Sequence, residues 1–239
     1  MVRGAVAARG VCRRRELSSP ILAGRTLPRM IFERDRKPPF LACLSVGLVA
    51  GAVTAQQMTA FRALAVGSGI EGAAASAGLA MLAIALAAGL LCLATDWLAE
   101  NWRGATGLAL LCFGPLLVAA SLLARQVAPT APHLAADPTA SWRLATCLAL
   151  QLVPPLAGAS YLGIVYHQGR EHLPRLYGAS LAGAGLATLL VAAAASRFMP
   201  ADLVLVPLLL WFGGAFAWFM GRRRRNGLLA LTVSCLAAL

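Results

Sequence analysis

The stretch Gly169–Leu190, GREHLPRLYGASLAGAGLATLL, decides how this chain is read. A charged, proline-bearing joint runs straight into a long segment of Ala, Gly, Ser and Thr with few bulky core residues. In water, a helix of this kind has little apolar area to bury against a neighbour. In lipid, small residues are what let helix backbones approach closely. The segment is therefore expected to lie as a buried helix at the centre of a membrane bundle.

The rest of the 239-residue chain agrees with that reading, being 59% hydrophobic and only 13% charged, against roughly 25% charged in soluble domains. Charge-free stretches recur at Phe40–Phe61, Gly72–Thr95, Gly104–Ala124, Leu144–Tyr166, Leu176–Ser196 and Leu203–Met220. Each reaches or approaches the roughly 20 residues that cross about 30 Å of hydrocarbon as a helix. The expected fold is an all-α, polytopic transmembrane bundle of six spans over residues 40–220. A basic tail, expected to be disordered and cytoplasmic, precedes it over 1–39. A basic loop and a short apolar segment follow over 221–239. The apolar part, Gly227–Leu239, is short for a crossing, so it is either an interfacial or re-entrant tail or the start of a seventh helix in a longer chain.

A net charge of +12 in a soluble protein would point to nucleic acid, but its distribution here points to membrane topology. Ten of the 21 Lys and Arg residues lie before position 40, and Arg103, Arg170, Arg175 and Arg222–Arg225 add seven on the same side of a six-span chain. The other side collects Arg62, Arg125, Arg143 and Arg197. Positive residues favour the cytoplasmic side, so both ends of the bundle are expected inside. The Arg222–Arg225 cluster and the N-terminal tail would also touch anionic lipid, and nucleic acid is set aside as a partner. Three readings of the tail stay open: a solvated tail, a start placed too early (Met30 opens MIFERDRKPPF just before the first span), or an organelle transit peptide poor in acidic residues. A single Lys among so many Ala, Gly and Arg suggests a GC-rich genome and a bacterial inner membrane.

Within the spans, Gly47-x-x-x-Gly51 has a spacing that allows close helix crossing. The Gln56-Gln57-Met58-Thr59 segment is polar enough to end the first helix or to face a cavity. Pro115 and Pro207 are expected to kink the third and sixth spans. The fourth span is the most unusual, with Pro154-Pro155 in the middle of LQLVPPLAGASY. Tandem prolines free carbonyls that lipid cannot satisfy, and Gln151, Ser160 and Tyr161 are the nearby polar groups. That pattern fits a structural kink or a broken helix lining a transport site. No acidic residue is expected deep in a span, which argues against a proton pump built on intramembrane carboxylates.

The six cysteines show no CxxC spacing. His167 and His172 are five apart, not the four that places two metal ligands on one helical face. No catalytic constellation, metal site or cofactor-binding loop is legible, so an enzyme is not expected. The segment TDWLAENWR (Thr95–Arg103) is expected to be an interfacial loop anchored by Trp97 and Trp102.

The run Pro154–Leu190 resembles the membrane domain of bacterial fused major-facilitator/spermidine-synthase-like proteins. The resemblance rests on the proline-bearing helix, the basic turn, the Arg175-Leu176-Tyr177 step and Gly183-Ala184-Gly185. Ser180 stands where that family commonly has Asp or Asn. The resemblance implies a transporter-like membrane module; the aminopropyltransferase-like soluble domain of the family has no counterpart within these residues. Gln151, Pro154, Pro155, Ser160 and Tyr161 are the expected substrate-path residues, with Tyr177 and Ser180 facing them. Gly47, Gly51, Gly183 and Gly185 are the expected packing positions. The rival expectation is a non-transporting anchor or subunit that holds a protein partner through its Arg-rich cytoplasmic face.

Overall fold

The computed structural model of the chain describes residues 40–127, 138–199, 202–221, 227 and 230–234. The N-terminal tail and the Arg222–Arg225 cluster lie outside the described residues. Five helices carry the fold: α1 (Phe40–Leu93), α2 (Thr95–Val127), α3 (Pro138–Gln168), α4 (Leu173–Ala195) and α5 (Leu205–Gly221). Among the described residues, six helical segments are long and apolar enough to cross a membrane: Phe40–Val66, Ala74–Leu93, Thr95–Val127, Ser141–Gln168, Arg170–Ala195 and Asp202–Gly221. They match the six expected spans one for one, and they are called spans 1 to 6 below.

Spans 1 and 2 share the single helix α1, yet they lie side by side. Gln57 and Ser76 line one small cavity, whereas a straight helix would separate them by about 28 Å. The chain therefore folds back between them, in the stretch where Gly67, Gly69 and Gly72 leave the backbone freest to bend. Span 2 then meets span 3 across the one-residue break at Ala94, whose N–H still bonds the Leu90 carbonyl at 2.9 Å.

The expected interfacial loop at Thr95–Arg103 is instead the first part of α2. Leu98, Ala99 and Glu100 are good helix formers, and Asp96 in the first turn complements the helix N-terminus. Trp97 remains exposed, and the Arg103 guanidinium lies 5.3 Å from the Trp102 ring centroid. The joint between spans 4 and 5 is equally compact. A 3₁₀ turn, Arg170–His172, links them, and Pro174 sits in the first turn of α4, where its missing N–H costs no hydrogen bond.

Span 1, not the small-residue fifth span, is the centre of the bundle: 61% of its apolar window is buried, against 17% for span 5. Span 5 is corrected accordingly. It lays one face on span 1 and leaves Tyr177, Leu181, Leu186 and Leu189 exposed on its outer side. The contact face is small on both helices. A Cβ on Gly47 would lie 2.9 Å from the Ala179 carbonyl oxygen, and one on Gly51 would lie 2.9 Å from the Gly183 carbonyl oxygen. A Cβ on Gly183 would collide with the Gly47 backbone. Lipid supplies no hydrophobic drive between helices, so this backbone-to-backbone approach is what holds the pair. Gly185 has open space where its Cβ would be, so among the described residues it packs against no neighbouring helix.

The main core joins spans 1, 3, 4 and 6, with Leu176 of span 5. Trp211 is fully buried there, donating its indole N–H to the Leu110 carbonyl at 2.7 Å and lying over Gly114, which has no side chain to obstruct it. Pro207 belongs to the first turn of α5, so it removes no helical bond and does not break the sixth span. The described part of the C-terminal segment, 230–234, is helical and packs onto the same core. Leu231 is buried and the Ser234 hydroxyl donates to the Leu111 carbonyl at 2.8 Å.

Contacts between spans fix which ends lie together. Leu41 meets Gly221, and Thr95 and Leu98 share a cavity with Tyr166 and Arg170. Leu64, Ala124 and Cys147 cluster at the opposite end. Arg103, Arg170 and Arg175 are therefore at one end of the bundle, and Arg62, Arg125 and Arg143 at the other, as the charge pattern anticipated.

Candidate functional site

Three cavities follow one another along spans 1 and 4. The largest, about 500 Å³, is lined by Val53, Ile84, Leu91, Leu162 and Ile164, with Tyr166, His167 and Arg170 at the end of the bundle that carries Arg175. Toward the other end lies a cavity of about 250 Å³, whose polar lining is Gln56, Thr59, Ser121, Arg125 and Gln151. Between them, a cavity of about 20 Å³ is enclosed by Gln56, Gln57, Ser76, Gln151 and Pro155, room for about one water molecule. Val53, which lines the large cavity, packs on Gly158, where a Cβ would displace it.

The central cavity is where unsatisfied polar groups converge. Gln56 is buried at 2% exposure, and its amide oxygen has no hydrogen-bond partner; neither has the amide nitrogen of Gln57. The prolines contribute a third group. In a helix the Gln151 carbonyl would accept from residue 155, or from residue 154 in a tighter turn. Both are proline and neither has an N–H, so this carbonyl has no helical donor. Gln56 lies about 15 Å along span 1 from Val66, and Gln151 lies about 15 Å along span 4 from Ser141. Both are near mid-membrane depth, where lipid offers no partner.

The expected path residues separate into distinct groups. Gln151 and Pro155 line the cavities, while Pro154 is buried beside them. The helix runs unbroken through both prolines, so the freed carbonyl, not a gap in the helix, is what they contribute. Ser160 donates to the Leu156 carbonyl of its own helix at 2.8 Å. Tyr161 is sealed in the core: Ser45 spends its proton on the Gly214 carbonyl at 2.7 Å, so the Tyr161 phenol donates to Ser45 at 2.8 Å. Its ring meets Trp218 edge-on at 5.3 Å. Tyr177 is exposed on the outer side of α4. Ser180 is buried, donates to the Tyr177 carbonyl at 2.9 Å, and comes near Tyr166 at the end of span 4, away from Gln151.

Gln56 and Gln57 complete the cluster; the sequence marked their segment as one that would end the first helix or face a cavity, without naming them as path residues. Their signal was depth: tandem amides ten residues from the end of a span, matched by Gln151 ten residues from the start of another. Serine and threonine hydroxyls misdirect a sequence reading here because they return to their own helix, as Thr59 does to the Gln56 carbonyl at 2.8 Å. A glutamine amide in mid-helix has no such local escape. Among the described residues, no group of three His, Cys, Asp or Glu side chains is placed to hold a metal ion.

Compared with protein families, with curated proteins and with solved structures, the chain has no match. The fold itself defines the class: an all-α integral membrane protein, with six helices of spanning length among the described residues.

Proposed function

We propose that the chain is a transporter-like membrane protein whose solute path runs along spans 1 and 4, from the large cavity beside span 2, past Gln56, Gln57 and Gln151, into the smaller one beside span 3. The observation that carries this reading is the buried, unpartnered amide oxygen of Gln56 near mid-membrane depth. An unsatisfied polar group there costs several kcal/mol. A sequence that keeps three glutamines around one small cavity is better explained by a passing solute than by packing. The end bearing Arg103, Arg170 and Arg175 is cytoplasmic on this reading, by the preference of basic residues for that side, and the membrane is a bacterial inner membrane. The likeness of Pro154–Leu190 to the membrane half of fused major-facilitator/spermidine-synthase-like proteins points the same way, and Gly183 gives that stretch a packing role.

The test is water access. In a background without the six native cysteines, Ala60→Cys and Ala88→Cys line the path, and Leu110→Cys lies in the sealed core. An aqueous thiol reagent should modify the first two and leave the third. Protection of position 60 under all conditions would instead favour a closed membrane anchor.

A further inference from the structure

The large cavity grades from apolar to basic along its length, a feature that passage of a small solute does not use. Ile84, Ala88 and Cys92, one turn apart on span 2, line one side, and Ala159 and Gly163 of span 4 the other. From Ile84 to Cys92, and from Ala159 to His167, is about 12 Å of helix, with Thr95 and Arg170 about one turn further on. The cavity is therefore about 16 Å deep, half of the roughly 30 Å hydrocarbon core and so the depth of one leaflet. It is also open sideways. Ile84, Ala88 and Cys92 line it and are themselves exposed, and only 11% of the span 2 window is buried. Beside an exposed face within a span lies lipid.

His167 and Arg170 stand at the mouth, and Arg170 is close enough to His167 to bear on its charge. Both offer N–H donors, and the planar guanidinium fork matches phosphate oxygens. Basic pockets between membrane helices hold lipid headgroups in this way. Net charge does not define the mouth, since Asp96 and Glu171 adjoin Thr95 and Arg170 in the chain; the donors that line the cavity do. The apolar walls add little selectivity, because a chain leaving the bilayer exchanges one apolar medium for another. Headgroup contact therefore decides what is bound.

We infer that the large cavity is a lipid-binding site, taking one acyl chain of a phosphate-bearing anionic lipid from the leaflet at this end, with the phosphate on Arg170 and His167. The inference goes beyond the transport reading: it needs the large cavity alone, whether or not a solute passes Gln56. A lipid seated there fills the space that a solute would enter, so the two compete for it.

The test uses the full chain in a neutral detergent and a phosphatidic acid whose acyl chain carries a photoreactive diazirine. Illumination should attach the probe to span 2 between Ile84 and Leu98, or to span 4 between Ala159 and Arg170. Excess unlabelled phosphatidic acid should suppress the labelling, and phosphatidylcholine with the same chains should not. Arg170→Gln should lower it about tenfold, the scale of a hydrogen bond to a charged group. Ala88→Trp, which fills the open side of the cavity and leaves Arg170 in place, should lower it as well. Labelling elsewhere, equal competition by phosphatidylcholine, or labelling indifferent to either substitution overturns the site. Any of these results obtained while position 60 stays open to aqueous reagents overturns the lipid site and leaves the path intact.

Discussion

Replacing Gln56 with leucine separates two explanations of the same side chain. A glutamine kept for stability would be bonded, and its loss would weaken the protein. The Gln56 oxygen is buried without a partner, so Gln56→Leu should stabilise the fold by about 1–3 kcal/mol, the scale of an unsatisfied buried polar group. Thermal unfolding in detergent reads the sign, and a lower midpoint would show that the amide is structurally employed. Tyr161→Phe is the opposite case. It removes the donor to Ser45 while leaving the Ser45 bond to Gly214 in place. The expected loss is about 0.6–1.5 kcal/mol by the same measurement, within the range of hydrogen bonds between membrane helices. The two side chains are both polar, buried and near the middle of a span. Only their partners tell them apart, and partners cannot be read from a sequence.

At the scale of elements, the crossing of spans 1 and 5 gives the sharpest contrast, because two glycines two residues apart have opposite surroundings. Gly183 faces the Gly47 backbone, which cannot retreat, whereas Gly185 faces open space. Gly183→Leu should separate the helices and lower the unfolding midpoint, at a cost of about 1–3 kcal/mol or more for overpacking. Gly185→Leu should be tolerated. Equal effects of the two substitutions would mean that the pair is not held by this approach. The sequence made the helices themselves legible, since length and the lack of charge suffice for a span. It also made the Gly47 and Gly51 spacing visible. It did not show which helix is central, because a run of Ala, Gly and Ser suits both a helix enclosed by neighbours and one that packs by a single face. The Thr95–Arg103 segment was misread for a similar reason: charge and tryptophan mark an interface but do not exclude a helix there. Pro207 shows that the effect of a proline depends on its distance from the helix start, which the end of the charge-free stretch locates only to within a few residues.

At the scale of the whole molecule, the alternation of the spans brings Arg103, Arg170 and Arg175 to one end and Arg62, Arg125 and Arg143 to the other. Reporters fused after Glu171 and after Gly221 should therefore read the same compartment, and one fused after Phe198 the opposite one. Any other pattern would break the six-span topology. The path also belongs to this scale, since it needs span 1 for Gln56 and Gln57, span 2 for Ser76 and span 4 for Gln151 and its freed carbonyl. No single segment contains it, which is why Gln151 and the prolines were legible as candidates and their assembly with the first span was not. The most direct measurement places a single cysteine at position 151 and applies a membrane-impermeant thiol reagent separately to each face of sealed vesicles. A path that opens to both cavities predicts modification from either face. Modification from one face alone, or from neither, would contradict it.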